Sequence, residues 1–234
     1  MTPAGSSELI VALDRPTLAE ALALVETLGD ACRFYKVGLE LFTAAGPAAV
    51  DAIRTRGADV FLDLKLHDIP ATVRGAARVA AALGARLLTV HASGGAAMLS
   101  AAVAGAAEGG ASCDVLAVTV LTSLDAAALA SAWGRDDVRP EDEVLRLARL
   151  AGAAGAHGVV CSGGEVARVR EAAPALAALV PGLRMPGDAA NDQARVVTPA
   201  AAAAAGARYL VLGRTVTAAA DPRAALDRVR ASLV

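Results

Sequence analysis

Aromatic residues and cysteines are scarce in this 234-residue sequence, which contains three Phe, two Tyr, one Trp and three Cys. Because hydrophobic residues still make up 56% of the chain, its core has to be built mainly from Ala, Val and Leu. This composition is typical of buried parallel strands that are covered by alanine-rich helices. The chain is long enough to form one large domain with a sizeable core.

Other absences exclude whole classes of protein. The net charge is only −2, with acidic and basic residues interspersed, so there is no basic footprint for nucleic acid or a membrane surface. No apolar run is long and uncharged enough to span a bilayer, and residues 1–7 lack the basic and apolar regions of a secretory signal. Cys32, Cys113 and Cys161 lie far apart without CxxC spacing, which predicts reduced thiols. We therefore expect a cytoplasmic protein without a nucleic-acid or membrane partner.

Short apolar runs alternate with longer helical segments along the chain. The expected strands are residues 8–14, 34–38, 60–65, 87–92, 115–122, 158–161, 183–186 and 209–213. Such alternation implies a parallel sheet, and eight strand–helix units fit a closed (β/α)8 TIM barrel of the α/β class. The competing fold is an open doubly wound sheet, but the turn after the first strand lacks GxGxxG. We predict a flexible N-terminus at residues 1–7 and a single barrel domain at residues 8–234.

The stretch from Phe61 to Thr72 combines a strand pattern with three charged residues. Asp63 and Lys65 alternate with leucines, so they project together on the face opposite those leucines. Asp68 follows within reach, and Pro70 ends the strand and begins the next helix. Because two carboxylates around a lysine are costly to bury, this array is either a solvated strand end or a functional site.

Polar residues collect at the carboxyl ends of the expected strands, where barrels of this kind carry their chemistry. They are Asp14, Lys36, Asp63, Lys65, Asp68, His91, Thr122, Ser123, Arg184, Gln193, Gly213 and Arg214. Gly213 permits close approach of a backbone N–H to a ligand, and Arg214 offers a fork of donors suited to phosphate. The alternative is a solvated arginine at a helix start. The three histidines, His67, His91 and His157, predict no converging set of metal ligands.

Several segments, taken in order, resemble the orotidine 5′-phosphate decarboxylase family. The most specific pair is Asp63-Leu64-Lys65-Leu66-His67-Asp68-Ile69-Pro70-Ala71-Thr72 and the loop Gly187-Asp188-Ala189-Ala190-Asn191-Asp192-Gln193. The others are Lys36-Val37-Gly38, Leu121-Thr122-Ser123, Val160-Cys161-Ser162, Arg195-Val196-Val197-Thr198-Pro199 and Leu212-Gly213-Arg214. The resemblance runs from Leu13 to about Thr217. It departs from the family's Gly-Ile-Arg-Pro at residues 182–186, where the arginine is kept as Arg184.

The resemblance implies the last step of de novo UMP synthesis, in which orotidine 5′-phosphate (OMP) loses CO2 to give UMP. It implies that neither a metal nor an organic cofactor takes part. It also implies a homodimer in which Asp68, Ile69 and Thr72 are contributed to the site of the neighbouring subunit.

Roles follow by motif position from the same resemblance. Lys65 would protonate C6 of the pyrimidine, Asp63 would lie near the substrate carboxylate, and Lys36 and the partner's Asp68 would complete an alternating network. The substrate-binding residues would be Asp14 and Lys36 at the ribose, Thr122 and Ser123 at the base edge or ribose, and Arg184, Gln193, Gly213 and Arg214 at the phosphate. Residues 123–140 and 188–193 are the expected lids.

Three other functions fit parts of the same pattern. A related sugar-phosphate lyase or epimerase would bind Mg²⁺ through the acids of DxKxxD, a motif that such barrels share. An aldolase would form a Schiff base on Lys65. A non-catalytic sensor would bind a phosphate ligand at the same rim.

Overall fold

Eight parallel strands pair in chain order, and the eighth pairs with the first to close a barrel. The computed structural model describes residues 7–110, 112–186 and 197–233. The strands are Glu8–Ala12 (β1), Phe34–Val37 (β2), Asp59–Leu66 (β3), Leu87–His91 (β4), Asp114–Val118 (β5), Gly158–Val160 (β6), Ala177–Val180 (β7) and Tyr209–Leu212 (β8). The predicted α/β class and (β/α)8 barrel are confirmed.

Helices connect the strands in the described part of the chain. They are Leu18–Leu28 (α1), Leu39–Ala45 (α2), Pro47–Arg54 (α3), Pro70–Ala82 (α4), Gly95–Glu108 (α5), Ala126–Trp133 (α6), Pro140–Ala153 (α7), Val166–Ala172 (α8), Pro199–Ala204 (α9), Arg214–Thr217 (α10) and Pro222–Ala231 (α11). Short 3₁₀ turns span Gly29–Ala31, Ala92–Gly94 and Gly163–Glu165. Four helices begin at a polar N-cap residue whose side chain accepts a backbone N–H of the first turn. These residues are Thr17, Asp125, Thr198 and Asp221.

The core has two layers, and three of the six aromatic residues lie in the inner one. The barrel interior is filled by Ile10, Ala12, Phe34, Phe61, Leu87, Leu116, Val118, Val160, Leu179, Tyr209 and Val211. Within it, the rings of Phe34 and Tyr209 meet edge to face with centroids 6.4 Å apart. The outer layer, between strands and helices, consists mainly of Ala, Val and Leu, as the composition predicts.

The predicted seventh strand at residues 183–186 is wrong. The structure places β7 at Ala177–Val180, and Leu183 makes only a single bridge to Val197. The true strand has the sequence Ala-Ala-Leu-Val. Because alanine has low strand propensity, this segment is a strand on account of its burial in the barrel and not of its local sequence. The connection at residues 123–140, predicted to be a lid, contains α6.

Two sequence-based expectations concern the terminus and membranes. Of the predicted flexible segment 1–7, residues 1–6 lie outside the described part of the chain, while Ser7 Oγ donates to the Ala207 carbonyl at 2.7 Å. No helix within the described ranges combines the length and apolarity needed to cross a bilayer.

The first prediction concerns the contact between α4 and α5. A side chain at Gly105 of α5 would fall well inside van der Waals contact with the Arg74 carbonyl of α4. Gly105→Ala should therefore lower the free energy of unfolding by about 1–3 kcal/mol through overpacking, although alanine is the better helix former. Urea denaturation measures the change.

Gly152→Ala on α7 is the matched control. A new Cβ there would meet Leu176 at 3.7 Å, an ordinary contact, so this variant should be neutral or more stable by up to about 1 kcal/mol. If the two substitutions changed stability equally, the close approach of α4 and α5 would not be a constraint on the sequence.

Candidate active site

The carboxyl end of β3 departs from a regular strand. Leu62 lies opposite Leu88 of β4, but the next partners are Leu66 and Val90, so the register shifts between them. Lys65, within this bulge, has φ +49°, the only positive φ among the described non-glycine residues. A left-handed conformation of this kind costs about 1–3 kcal/mol and persists only where the surroundings support it.

Asp63 lies between two lysines. Its Oδ1 accepts a hydrogen bond from Lys65 Nζ at 2.8 Å, and its Oδ2 is 3.7 Å from Lys36 Nζ. Lys36 Nζ also donates to Asp14 Oδ1 at 2.7 Å. Residues from the ends of three neighbouring strands thus form one array of alternating charge, Asp14–Lys36–Asp63–Lys65, which we call the charge array.

The charge array is buried in the middle and reaches solvent at both ends. Lys36 and Asp63 are each only 9% exposed, and Asp63 follows Phe61 on the inner face of β3. The side chains of Lys65 and Asp14 are 30% and 55% exposed. The two terminal charges are therefore the most accessible to a ligand at this rim, and the two inner charges hold them in place while keeping a small exposed surface of their own.

The two lysines decide the ionisation of Asp63. Burial alone would raise the pKa of Asp63, but the charges of Lys36 and Lys65 and hydrogen bonds from Lys65 and Thr89 outweigh it. The pKa of Asp63 is consequently lowered, and its carboxylate is ionised at neutral pH.

Thr89 is absent from the residues that the sequence motifs predict for this site. It is fully buried on β4, where its Oγ1 lies 2.8 Å from Asp63 Oδ1 and accepts the Lys65 backbone N–H at 3.0 Å. The sequence does carry a signal for it. In Leu87-Leu88-Thr89-Val90-His91, the threonine shares a strand face with His91, which lies at the rim.

Gly38 provides the space that the outer ion pair occupies. A Cβ at this position would lie 2.7 Å from both Asp14 Oδ1 and Lys36 Nζ. Any side chain would displace one of these two groups, which explains the glycine of the Lys36-Val37-Gly38 motif in physical terms.

His67 and His91 lie beside the Lys65 end of the charge array. Their ring centroids are 5.4 Å apart. Burial, together with the nearby His67 and Lys65, lowers the pKa of His91. Among residues 7–110, 112–186 and 197–233, no three His, Cys, Asp or Glu side chains are grouped as metal ligands.

Asp68, Ile69 and Thr72 lie outside the charge array, at the exposed start of α4. Asp68 accepts the backbone N–H of Ile69 at 2.6 Å and makes no ion pair with any other described residue. Ile69 is 66% exposed although it is a large apolar residue. Within one chain, the array therefore ends at Lys65.

Three of the four residues predicted to bind phosphate, Arg184, Gly213 and Arg214, follow β7 and β8 at the same rim. Arg184 is buried four residues after β7, and Gly213 directly precedes α10, whose first residue is the exposed Arg214. A Cβ at Gly213 would meet no atom of the described residues within 4 Å, so these residues leave room beside its backbone. Gln193 lies outside the described residues. Thr122 and Ser123 follow β5 at this rim, half-buried and exposed respectively.

The fold and the charge array together define an enzyme of the (β/α)8-barrel class with its site at the carboxyl rim. The sequence model of the Orotidine 5′-phosphate decarboxylase / HUMPS family matches residues 7–229. The chain belongs to this family.

Individual relatives agree with the family assignment. The orotidine 5′-phosphate decarboxylase of Anaeromyxobacter sp. (strain K) is 56% identical over 229 residues, which cover 97% of this chain and 99% of the relative. That of Moorella thermoacetica is 49% identical over 232 residues, covering 97% and 92%. The crystal structure of orotidine 5′-phosphate decarboxylase from Lactobacillus acidophilus has a TM-score of 0.85 and 35% identity, covering 97% of this chain and 99% of that one.

The second prediction concerns pH. The pKa of Asp63 is lower in the folded protein than in the unfolded chain, where an aspartate has a pKa of about 3.9. The charge of Asp63 therefore stabilises the fold fully above the unfolded pKa, and this stabilisation is lost as pH falls through the folded pKa. Asp63→Asn should cost roughly 1–3 kcal/mol near pH 7, because Lys65 loses its charged acceptor and the buried Lys36 keeps only Asp14. The difference from wild type should shrink below about pH 4.

Urea denaturation of both proteins over a pH series measures this difference. Asp30→Asn is the control, because Asp30 forms an exposed ion pair with Arg223 and should contribute less than about 1 kcal/mol. A penalty for Asp63→Asn that stayed constant down to low pH would contradict a stabilising charge on Asp63.

Proposed function

We propose that this protein is an orotidine 5′-phosphate decarboxylase, which converts OMP to UMP and CO2 in pyrimidine biosynthesis. The observation that carries the proposal is the charge array at the carboxyl rim of a barrel that belongs to this family. The expectation of a cytoplasmic enzyme, drawn from the sequence, is part of the same proposal.

Lys65 is the proposed proton donor. When the bond between C6 and the carboxylate carbon breaks, CO2 leaves and the electron pair stays on C6. The Lys65 ammonium stabilises this charge and then gives its proton to C6, which yields UMP and a neutral amine that takes up a proton from solvent. Its contact with Asp63 Oδ1 at 2.8 Å supports this role, because the carboxylate holds the ammonium at the rim.

Asp63 is the proposed neighbour of the substrate carboxylate. Two like charges about 4 Å apart repel by roughly 4 kcal/mol at an effective dielectric constant near 20. This repulsion is relieved when CO2 departs, while the attraction between Lys65 and the developing charge at C6 grows. The charge array supports both contributions to lowering the barrier, one in the ground state and one in the transition state.

The remaining polar residues of the rim would bind the rest of the nucleotide. We assign Asp14 and Lys36 to the ribose hydroxyls, and Thr122 and Ser123 to the base edge or the ribose. The mutual hydrogen bond of Asp14 and Lys36 supports this assignment, because it leaves the exposed carboxylate of Asp14 facing the rim.

The phosphate is assigned to Arg184, Gln193, Gly213 and Arg214. The open space beside Gly213 and the guanidinium groups that follow β7 and β8 support a phosphate site in the place where barrels commonly have one. Although the phosphate is remote from C6, its binding energy can orient the pyrimidine and drive closure of a lid, for which residues 123–140 and 188–193 are proposed.

A homodimer with shared sites is the proposed assembly. Asp68, Ile69 and Thr72 are exposed at the start of α4, next to the end of the charge array. Asp68 of the partner subunit would sit beyond Lys65 and extend the alternation by one charge. The exposed apolar side chains of Ile69, Leu39 and Leu121 also favour a protein surface as their cover.

The rival functions fit the geometry less well. A Mg²⁺ ion at Asp63 would have to displace the Lys65 and Thr89 donors from Oδ1 and lie within reach of Lys36. A Schiff base on Lys65 would remove the charge that balances Asp63. A sensor would not need the two buried inner charges at all.

The third prediction tests the reaction itself. The purified protein should release CO2 from OMP in the presence of EDTA, and Lys65→Ala should reduce kcat by about 10³-fold or more while UMP still binds. Loss of OMP absorbance gives the rate, and calorimetry gives the affinity for UMP.

Arg149→Ala, at an exposed position on α7, is the control and should keep wild-type turnover. Near-normal turnover by Lys65→Ala would refute the proton-donor role. Activity abolished by EDTA would favour the Mg²⁺ enzyme, borohydride trapping of substrate on Lys65 would favour the aldolase, and tight UMP binding without CO2 release would favour the sensor.

The fourth prediction tests the shared site. Chains carrying Asp68→Ala and chains carrying Lys65→Ala should each be inactive alone. After subunit exchange, their mixture should recover about a quarter of wild-type activity, because half of the dimers are hybrids and each hybrid has one intact site.

A mixture of Lys65→Ala and Asp63→Asn chains is the matched control. Both residues serve their own barrel, so no hybrid site is intact and no activity should return. If exchange is confirmed by mass spectrometry and the first mixture stays inactive, Asp68 does not act across the interface.

A further inference from the structure

Thr89 bridges the two central residues of the site from the neighbouring strand. Its hydroxyl lies 2.8 Å from Asp63 Oδ1 and 3.0 Å from the backbone nitrogen of Lys65. The side chain is fully buried, so water does not compete for these two hydrogen bonds.

The direction of both hydrogen bonds is determined by chemistry. The Lys65 backbone N–H can only donate, so Thr89 Oγ1 accepts there. The single hydroxyl proton of Thr89 then remains for Asp63, whose ionised carboxylate can accept but not donate. Thr89 is therefore oriented to hold Asp63 as a carboxylate and Lys65 by its backbone at the same time.

The bulge in β3 explains why this support is needed. In the β3–β4 register, Leu62 pairs with Leu88 and Leu66 with Val90, and residues 63–65 have no partner residue on β4. The sheet alone thus does not hold Lys65 at its φ of +49°. The Thr89 hydroxyl supplies the link to β4 at this point.

We propose that Thr89 is a positioning residue of the reaction, which holds the backbone of Lys65 in its left-handed conformation and aims the Asp63 carboxylate at the Lys65 ammonium. The kinetic consequence rests on the proposed decarboxylase function. The structural consequence, the backbone conformation of Lys65, does not.

The fifth prediction uses substitutions that separate the hydroxyl from the volume of the side chain. Thr89→Val keeps the shape and removes the hydroxyl, and Thr89→Ser keeps the hydroxyl and removes a methyl group. Thr89→Val should lower kcat by about 10- to 100-fold, as expected for a small misplacement of reacting groups, with little change in the affinity for UMP. Thr89→Ser should stay within about threefold of wild type.

Thr119→Val is the matched control. Thr119 is equally buried on the neighbouring side of the barrel, but its hydroxyl donates to the Val160 carbonyl at 2.8 Å and contacts neither Asp63 nor Lys65. It should lower stability without lowering kcat. If Thr119→Val and Thr89→Val reduced kcat alike, or if Thr89→Ser were as slow as Thr89→Val, the role of Thr89 would be merely structural.

Crystal structures of wild type and Thr89→Val test the positioning role of Thr89 independently of the activity assay. The expected result is that Lys65 leaves its positive φ or that its Nζ moves away from Asp63 Oδ1. Unchanged geometry of Lys65 in Thr89→Val would overturn the proposal. If Thr89→Val does not fold, comparison of Thr89→Ser with Thr89→Ala isolates the hydroxyl in the same way. Inactivity of the wild type on OMP would refute the decarboxylase function, and the geometry of Lys65 would still test Thr89.

Discussion

The buried carboxylate of Asp63 is the constraint on which the rest of the site depends. Removing an ionised group from water is costly, and here the cost is offset by two lysines and a threonine hydroxyl. Each lysine in turn has Asp63 as a partner, since Lys36 is equally buried and Lys65 Nζ donates to Asp63 Oδ1. The charges are therefore mutually dependent, and removing any one of them leaves a buried neighbour with one opposite charge fewer. This interdependence explains how a protein can hold an ammonium and a carboxylate beside one another, ready for a substrate.

The barrel stabilises the charge array by fixing the backbone positions of the residues that form it. Asp14, Lys36 and Asp63 come from the ends of adjacent strands whose register is continuous. The inner layer of large side chains, among them Phe34, Phe61 and Tyr209, fills the barrel below them and excludes water. The one register shift among the described strand pairs, the bulge at the end of β3, lies where Lys65 has to turn towards the rim. A rigid closed sheet with a single local departure is well suited to preorganised electrostatics.

Much of this could be predicted from the sequence, because it depends on local pattern. Alternating apolar runs predict the barrel, and the spacing of Asp63 and Lys65 predicts a shared face. Sequence-based predictions are wrong or missing where tertiary contacts override local propensity. The alanine-rich β7 is a strand only because the barrel buries both of its faces. The left-handed Lys65 depends on a register shift between strands that no sequence pattern encodes, and for Thr89 the sequence indicates the strand face but not the two contacts.

We infer that the charge array holds the reacting carbon of a nucleotide at Lys65. The decisive measurement is a crystal structure of the protein with UMP bound. We expect the pyrimidine C6 to lie within about 3.5 Å of Lys65 Nζ, with the phosphate at Gly213 and Arg214. A nucleotide bound at another surface, or one whose C6 faces away from Lys65, would contradict it.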